Sequence, residues 1–185
     1  MLRRRLLLLL AAAVPAGCAS PNPTLYVLAP QPGTPEPGGP RTVELREIGL
    51  ARYLERSQIV RSSEGYRLDV LSNEWWGEPL GAMLSRVLVQ ELTQRLPGST
   101  VFAESGAITA NAGATVAVNI QRLDADATGA VVLIAQAEVK VAATATRNIQ
   151  LTVPPATPGT AGLVAAMSQA LGQLADTIAG MLRGA

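Results

Sequence analysis

The sequence predicts an α+β domain, an antiparallel or mixed sheet with two helices packed on one face. Stretches of alternating apolar and polar residues, or of β-prone residues, recur from Thr42 to Val153. Two stretches carry apolar residues at helical spacing, one in the middle of the chain, from Leu80 to Leu96, and one at its end, from Leu163 to Leu182. Strands therefore dominate, and the two helices supply the cover.

The first 18 residues, MLRRRLLLLLAAAVPAGC, stand apart from that pattern. Arg3, Arg4 and Arg5 form a positive start, Leu6 to Val14 an apolar core too short to span a bilayer, and Ala16 and Gly17 supply small residues before Cys18. This resembles a bacterial lipoprotein signal, although Pro15 stands where an aliphatic residue is usual. In such signals the cysteine is acylated and becomes the first residue of the mature chain. The division expected is a signal over 1–17, a lipid-anchored tether with a short strand and a Pro-rich linker over 18–41, and the α+β domain over 42–185.

Thr24 to Leu28 is β-prone and reads as a first strand. Residues 29–40, APQPGTPEPGGP, hold five prolines and three glycines, so they are expected as a loop or spacer. Free, such a spacer would extend the domain about 35 Å from its anchor. Val43 to Ile48 alternates as a strand, residues 49–53 read as a turn or short helical link, and Ser57 to Arg61 forms a further strand. A turn at residues 62–65 leads to Tyr66, Leu68 and Val70, which share one strand face while Arg67 and Asp69 take the other. Pro79 opens the middle helix, with Glu74 and Glu78 near its positive end, and Pro97-Gly98 stops it. Gln90, Gln94 and Arg95 are placed on its wetter faces. Ser99 to Ala103 is a short strand, 104–113 a loop and Ala114 to Asp124 a strand, and 125–129 turn the chain. Ala130 to Thr146 is expected as one long strand, followed by Asn148 to Val153 and, from about Thr160, by the terminal helix. Its small residues suit close packing on a sheet or contacts between subunits.

Composition excludes several classes of function. Removing the three signal arginines leaves 12 basic against 14 acidic groups, so nucleic acid is not an expected partner. The chain has no histidine and a single cysteine, which leaves no disulfide, no imidazole acid–base chemistry and no zinc set built on those ligands. Asp124 and Asp126 are expected in a solvated turn rather than at a metal or glycosidic site. Ser62, Ser63 and Ser105 lack a base other than Lys140, so no enzymatic activity and no cofactor are expected.

Two adjoining stretches carry a family resemblance: YLERSQIV, from Tyr53 to Val60, and WGEPL, from Trp76 to Leu80, with the helix behind it. They resemble the ABC-type transport auxiliary lipoprotein family, PqiC-like, whose members share a "YLDR-QIV" segment and a "W-EPL" segment. The order of signal, early strand, strand pair and terminal helix is similar over most of the mature chain. The resemblance implies a lipoprotein carrying diacylglycerol and fatty acyl groups on Cys18, facing the periplasm. Its implied partners are an MCE-domain protein and inner-membrane transporter components, with the lipoprotein docking the system at the outer membrane. Ala19 and Ser20 after Cys18 lack the aspartate that retains lipoproteins at the inner membrane. A periplasmic lipid-binding carrier and a structural outer-membrane assembly lipoprotein are the alternatives, and a homo-oligomeric ring is compatible with any of them.

Candidate partner-binding residues are Tyr53, Arg56, Trp75 and Trp76. Adjacent tryptophans in extended chain point to opposite faces, so at least one belongs to the core while the other can reach a partner. Tyr53 and Arg56 form either a patch that holds a partner or a loop in which Arg56 pairs with Glu55 or Glu78.

Overall fold

A computed structural model describes residues 22–108 and 110–184. Nine strands form one mixed sheet, with helices α1 (Leu80–Arg95) and α2 (Gly159–Arg183), which is the α+β class expected. Cys18 and the signal expected over residues 1–17 lie outside the described residues.

The sheet is organised on β7 (Ala114–Ala125). Along one side β7 pairs antiparallel with β8 (Val131–Lys140), and β8 pairs in turn with β9 (Thr144–Val153), which ends the sheet. Its other side is shared in succession by three short parallel partners: β2 (Thr42–Leu45), β3 (Gly49–Leu50) and the middle of β4 (Gln58–Glu64). β6 (Thr100–Ala103) pairs with β2, β5 (Arg67–Trp76) returns antiparallel along β4, and β1 (Thr24–Tyr26) lies parallel to the end of β5. A 3-10 turn, Arg52–Leu54, is the short helical link expected after Leu50.

Both helices cover one face. Val116, Val118 and Ile120 of β7 and Ala135, Ala137 and Val139 of β8 are buried on it, and α2 packs against β7, β8 and β9. Four alanines of α2 are buried within the chain, Ala166 and Ala170 on one flank of the helix and Ala175 and Ala179 on the other, beside Ser168 and Gly172, which meet the strap and Arg95.

Three expectations are corrected. Ala130 to Thr146 is not one strand but the two arms of a hairpin, reversing at residues 141–143. Val-Ala-Ala carries no turn signal, and the reversal is set by pairing with β7 and by the free outer edge of β9. β5 runs on to Trp76 rather than ending at Val70, through a register shift that accommodates Asn73 at φ 63°. Asparagine tolerates this left-handed conformation better than most residues. Residues 29–36, expected as a free spacer, lie as a strap across α1 and α2. Leu28 and Ala29 donate their N–H groups to Met83 Sδ and Ser168 Oγ, and Gln31 donates to Glu91 Oε1 at 2.8 Å. Glu36 donates to the Arg95 carbonyl and pairs with Arg183 at 2.8 Å. Prolines suit this role, because a strap fixed by scattered anchors needs few N–H donors and little chain entropy to lose.

Candidate functional site

The two stretches that carry the family resemblance meet in space. Ala51 donates to the Ile120 carbonyl at 3.0 Å, which docks the 3-10 turn on β7, and the chain then enters β4 at Gln58. Trp76 donates its N–H to the Ser57 carbonyl at 2.7 Å, and Gln58 lies opposite Trp75. YLERSQIV and WGEPL thereby line one surface pocket of about 210 Å³, formed by Glu55, Arg56, Ser57, Trp75, Trp76, Glu78 and Pro79. A neighbouring pocket of about 410 Å³, between Glu47–Leu50 and the first turn of α1, shares Glu55 and Pro79 with it.

Within this region the four candidates divide. Trp76 is 8% exposed and belongs to the core, whereas Trp75 on the opposite face is 37% exposed. Arg56 is exposed and, among the described residues, is ion-paired with neither Glu55 nor Glu78; Glu78 instead takes Arg86. Tyr53 is half-buried, and its hydroxyl donates to Asp124 Oδ2 at 2.6 Å. Burial and then that carboxylate push the Tyr53 phenol far above its ordinary range, so it stays protonated as a brace between the turn and β7.

Asp124 does not sit in a solvated turn. It lies within β7, 1% exposed, on the face of the sheet away from the helices. Ser62 Oγ donates to its Oδ1 at 2.9 Å, and Arg122 donates to the same oxygen through Nε and Nη2 at 3.1 and 2.9 Å. A bulge at Gln121 breaks the alternation and hides this placement from the sequence. Asp126, by contrast, occupies the turn as expected. It accepts from Thr128 Oγ1 and from the Thr128 and Ala130 N–H groups, with the Thr128 hydroxyl first in holding its carboxyl below the usual range.

A second polar cluster was missed. Arg95, expected on a wet face, is 1% exposed, and Glu91 is 0% exposed. Arg95 donates to the carbonyls of Gln31, Glu91 and Gly172 and to Asp176 Oδ1, joining strap, α1 and α2. Burial raises the Glu91 carboxyl to about 7, against the opposing pull of the Gln31 N–H and Arg95. Val87, Glu91 and Arg95 are spaced four apart, so they share a helix side with the apolar stripe. Two charges on that stripe were the available signal.

This is a small mixed-sheet domain with two helices on one face and an N-terminal strap bound across them. The chain belongs to the ABC-type transport auxiliary lipoprotein component family, whose model matches residues 26–179 and so takes in the strap, α1 and α2 as far as Ala179. The crystal structure of an uncharacterized protein is similar at a TM-score of 0.75 and 20% identity, covering 87% of this chain and 99% of the other. Protein XCC0632 from Xanthomonas campestris, of the family DUF330, is similar at 0.69 and 20% identity, covering 85% and 93%. Both show the same fold. No curated protein sequence matches the chain. Among the described residues no helix is long and apolar enough to cross a membrane.

Proposed function

We propose that this protein is a non-enzymatic accessory subunit of an MCE-type intermembrane lipid transporter, held on the outer membrane through acyl groups on Cys18 and facing the periplasm. Membership of a transport auxiliary lipoprotein family supports a binding role beside a transporter. The observation that carries the docking reading is the convergence of both family stretches on the pocket around Arg56. Arg56 is exposed there and free of an internal ion pair among the described residues, so its guanidinium is available for a partner carboxylate. The adjoining pocket between Ile48, Leu50 and Leu80 offers an apolar floor for a side chain of the same partner.

The carrier alternative would need an apolar cavity between sheet and helices. That space is filled by Val116, Ile120, Leu171, Leu174 and Ile178, each fully buried.

A pull-down from detergent-solubilised membranes tests the proposal. Wild-type protein should recover an MCE-domain partner, Arg56→Glu should lose most of it, and Cys18→Ala should still bind once released from the membrane. Failure of the wild type to recover any such partner sinks the reading.

A further inference from the structure

The large apolar side chains exposed among the described residues are not scattered. Of seven, six lie on or beside β1 and on the β4–β5 hairpin: Leu25, Val27, Tyr66, Leu68, Val70 and Trp75; the other is Ile108. Single exposed apolar residues need no explanation, but a contiguous set does.

Register places four of them on one side. Leu25 is paired with Trp75, Trp75 with Gln58, Val70 with Val60 and Leu68 with Ser62. Cross-strand partners project to the same face of a sheet. Ser62 reaches Asp124 on the side away from the helices, so Leu25, Trp75, Val70 and Leu68 face outward there. On the other side of the hairpin, Arg67 pairs with Glu64 and Asp69, and Arg61 with Asp69; Arg61, Arg67 and Glu64 are exposed and Asp69 is half-covered. The hairpin has its apolar face turned away from the core and its charges balanced among themselves.

The path of the chain identifies what this face meets. β1 runs parallel to β5 with Thr24 beside Glu74, so the described chain enters β1 from the end of β5 that holds Val70 and Leu68. Cys18 is six residues before Thr24, a reach of at most about 20 Å, and about 20 Å also separates Glu74 from Leu68 along a strand. The strap is fixed on α1 and α2 and supplies no slack.

We propose that this outward stripe lies on the lipid bilayer that holds the acyl groups of Cys18, seating the domain flat on the membrane beside its anchor. The inference rests on the lipoprotein reading of Cys18. Trp75 is then an interfacial residue, its indole among the headgroups, and the transporter is met through Arg56 and the pocket toward α1. Because the hairpin carries no surplus of positive charge, contact depends on apolar burial rather than on anionic lipid.

The test uses the acylated full-length mature protein in phosphatidylcholine vesicles, with and without bromine-labelled acyl chains. Trp75→Phe serves as reference, since the buried Trp76 contributes to both spectra. The Trp75 part of the emission should shift to the blue and be quenched by bromine, unchanged by added sodium chloride. Leu25→Ser with Leu68→Ser, at exposed positions, should lose most of that quenching while circular dichroism stays the same. Unquenched, water-like Trp75 emission from protein whose mass carries the acyl groups overturns the inference and leaves the anchor standing. A Trp75 that responds only to an MCE-domain partner overturns it as well. A mass without acyl groups overturns the anchor and the inference together.

Discussion

Arg95 and Asp176 meet across the two helices in an unequal pair: the side chain of Arg95 is 2% exposed, while that of Asp176 is 57% exposed. The arginine is therefore held less by its carboxylate, which water also reaches, than by the carbonyls of Gln31, Glu91 and Gly172. Replacing it with methionine keeps much of the volume but leaves three carbonyls and Glu91 without their cationic neighbour. Arg95→Met should cost about 3 kcal/mol, read from urea unfolding. Residues 29–40 should also become cleavable by protease in the folded protein, and equal cleavage rates in the two proteins would show that Arg95 does not hold the strap.

Glu91 gives stability a pH dependence of definite sign. Its folded value of about 7 is above the ordinary 4.5, so the folded state holds the proton more tightly than the unfolded state. The contribution is fully present below about pH 4.5 and is lost as pH rises through about 7, a change on the order of 3 kcal/mol. Asp69, held low mainly by Arg67, and Asp126, held low mainly by Thr128, act in the opposite sense but at more acid pH. Urea midpoints between pH 5 and pH 8 should fall in the wild type and stay nearly level in Glu91→Gln.

Glycines in the strap region differ sharply in what they tolerate. A Cβ at Gly33 would collide with the Arg95 guanidinium, and one at Gly172 would lie 2.9 Å from Gln31 Cβ. Either alanine should cost about 1–3 kcal/mol by forcing the strap off the helices. At Gly81, near the start of α1, a Cβ meets nothing within 4 Å, and Gly81→Ala should gain about 0.5 kcal/mol. Thermal melts of the three variants would decide it, and a common sign would show that the strap is not seated on Arg95 and Gly172.

Tyr53→Phe removes a single hydrogen bond and leaves Asp124 Oδ2 without its donor inside the protein. A loss of about 1–3 kcal/mol is expected, with Arg56 and its pocket still in place. A larger effect on partner recovery than on stability would instead make Tyr53 a contact residue.

The elements that sequence made legible were those whose local pattern and tertiary role agree. α2 shows its apolar face at Leu163, Met167, Leu171, Leu174 and Ile178, and all five are buried. The family stretches were readable as words, and their meeting at Ser57 and Trp76 required only that β4 and β5 pair. What stayed hidden was decided at a distance. The reversal after Lys140 has no turn residues, and Asp124 is displaced in phase by one bulged residue. The strap looked like a spacer because composition reports what a segment cannot form, here helix or sheet, and not what it lies against.

The residues of the strap leave the ribosome early, whereas Ser168, Gly172, Asp176 and Arg183, which complete its seat, come only with α2. No chain that still lacks α2 can close this latch. Contacts of such wide sequence separation also form slowly. The chain stays unlatched until α2 has been made.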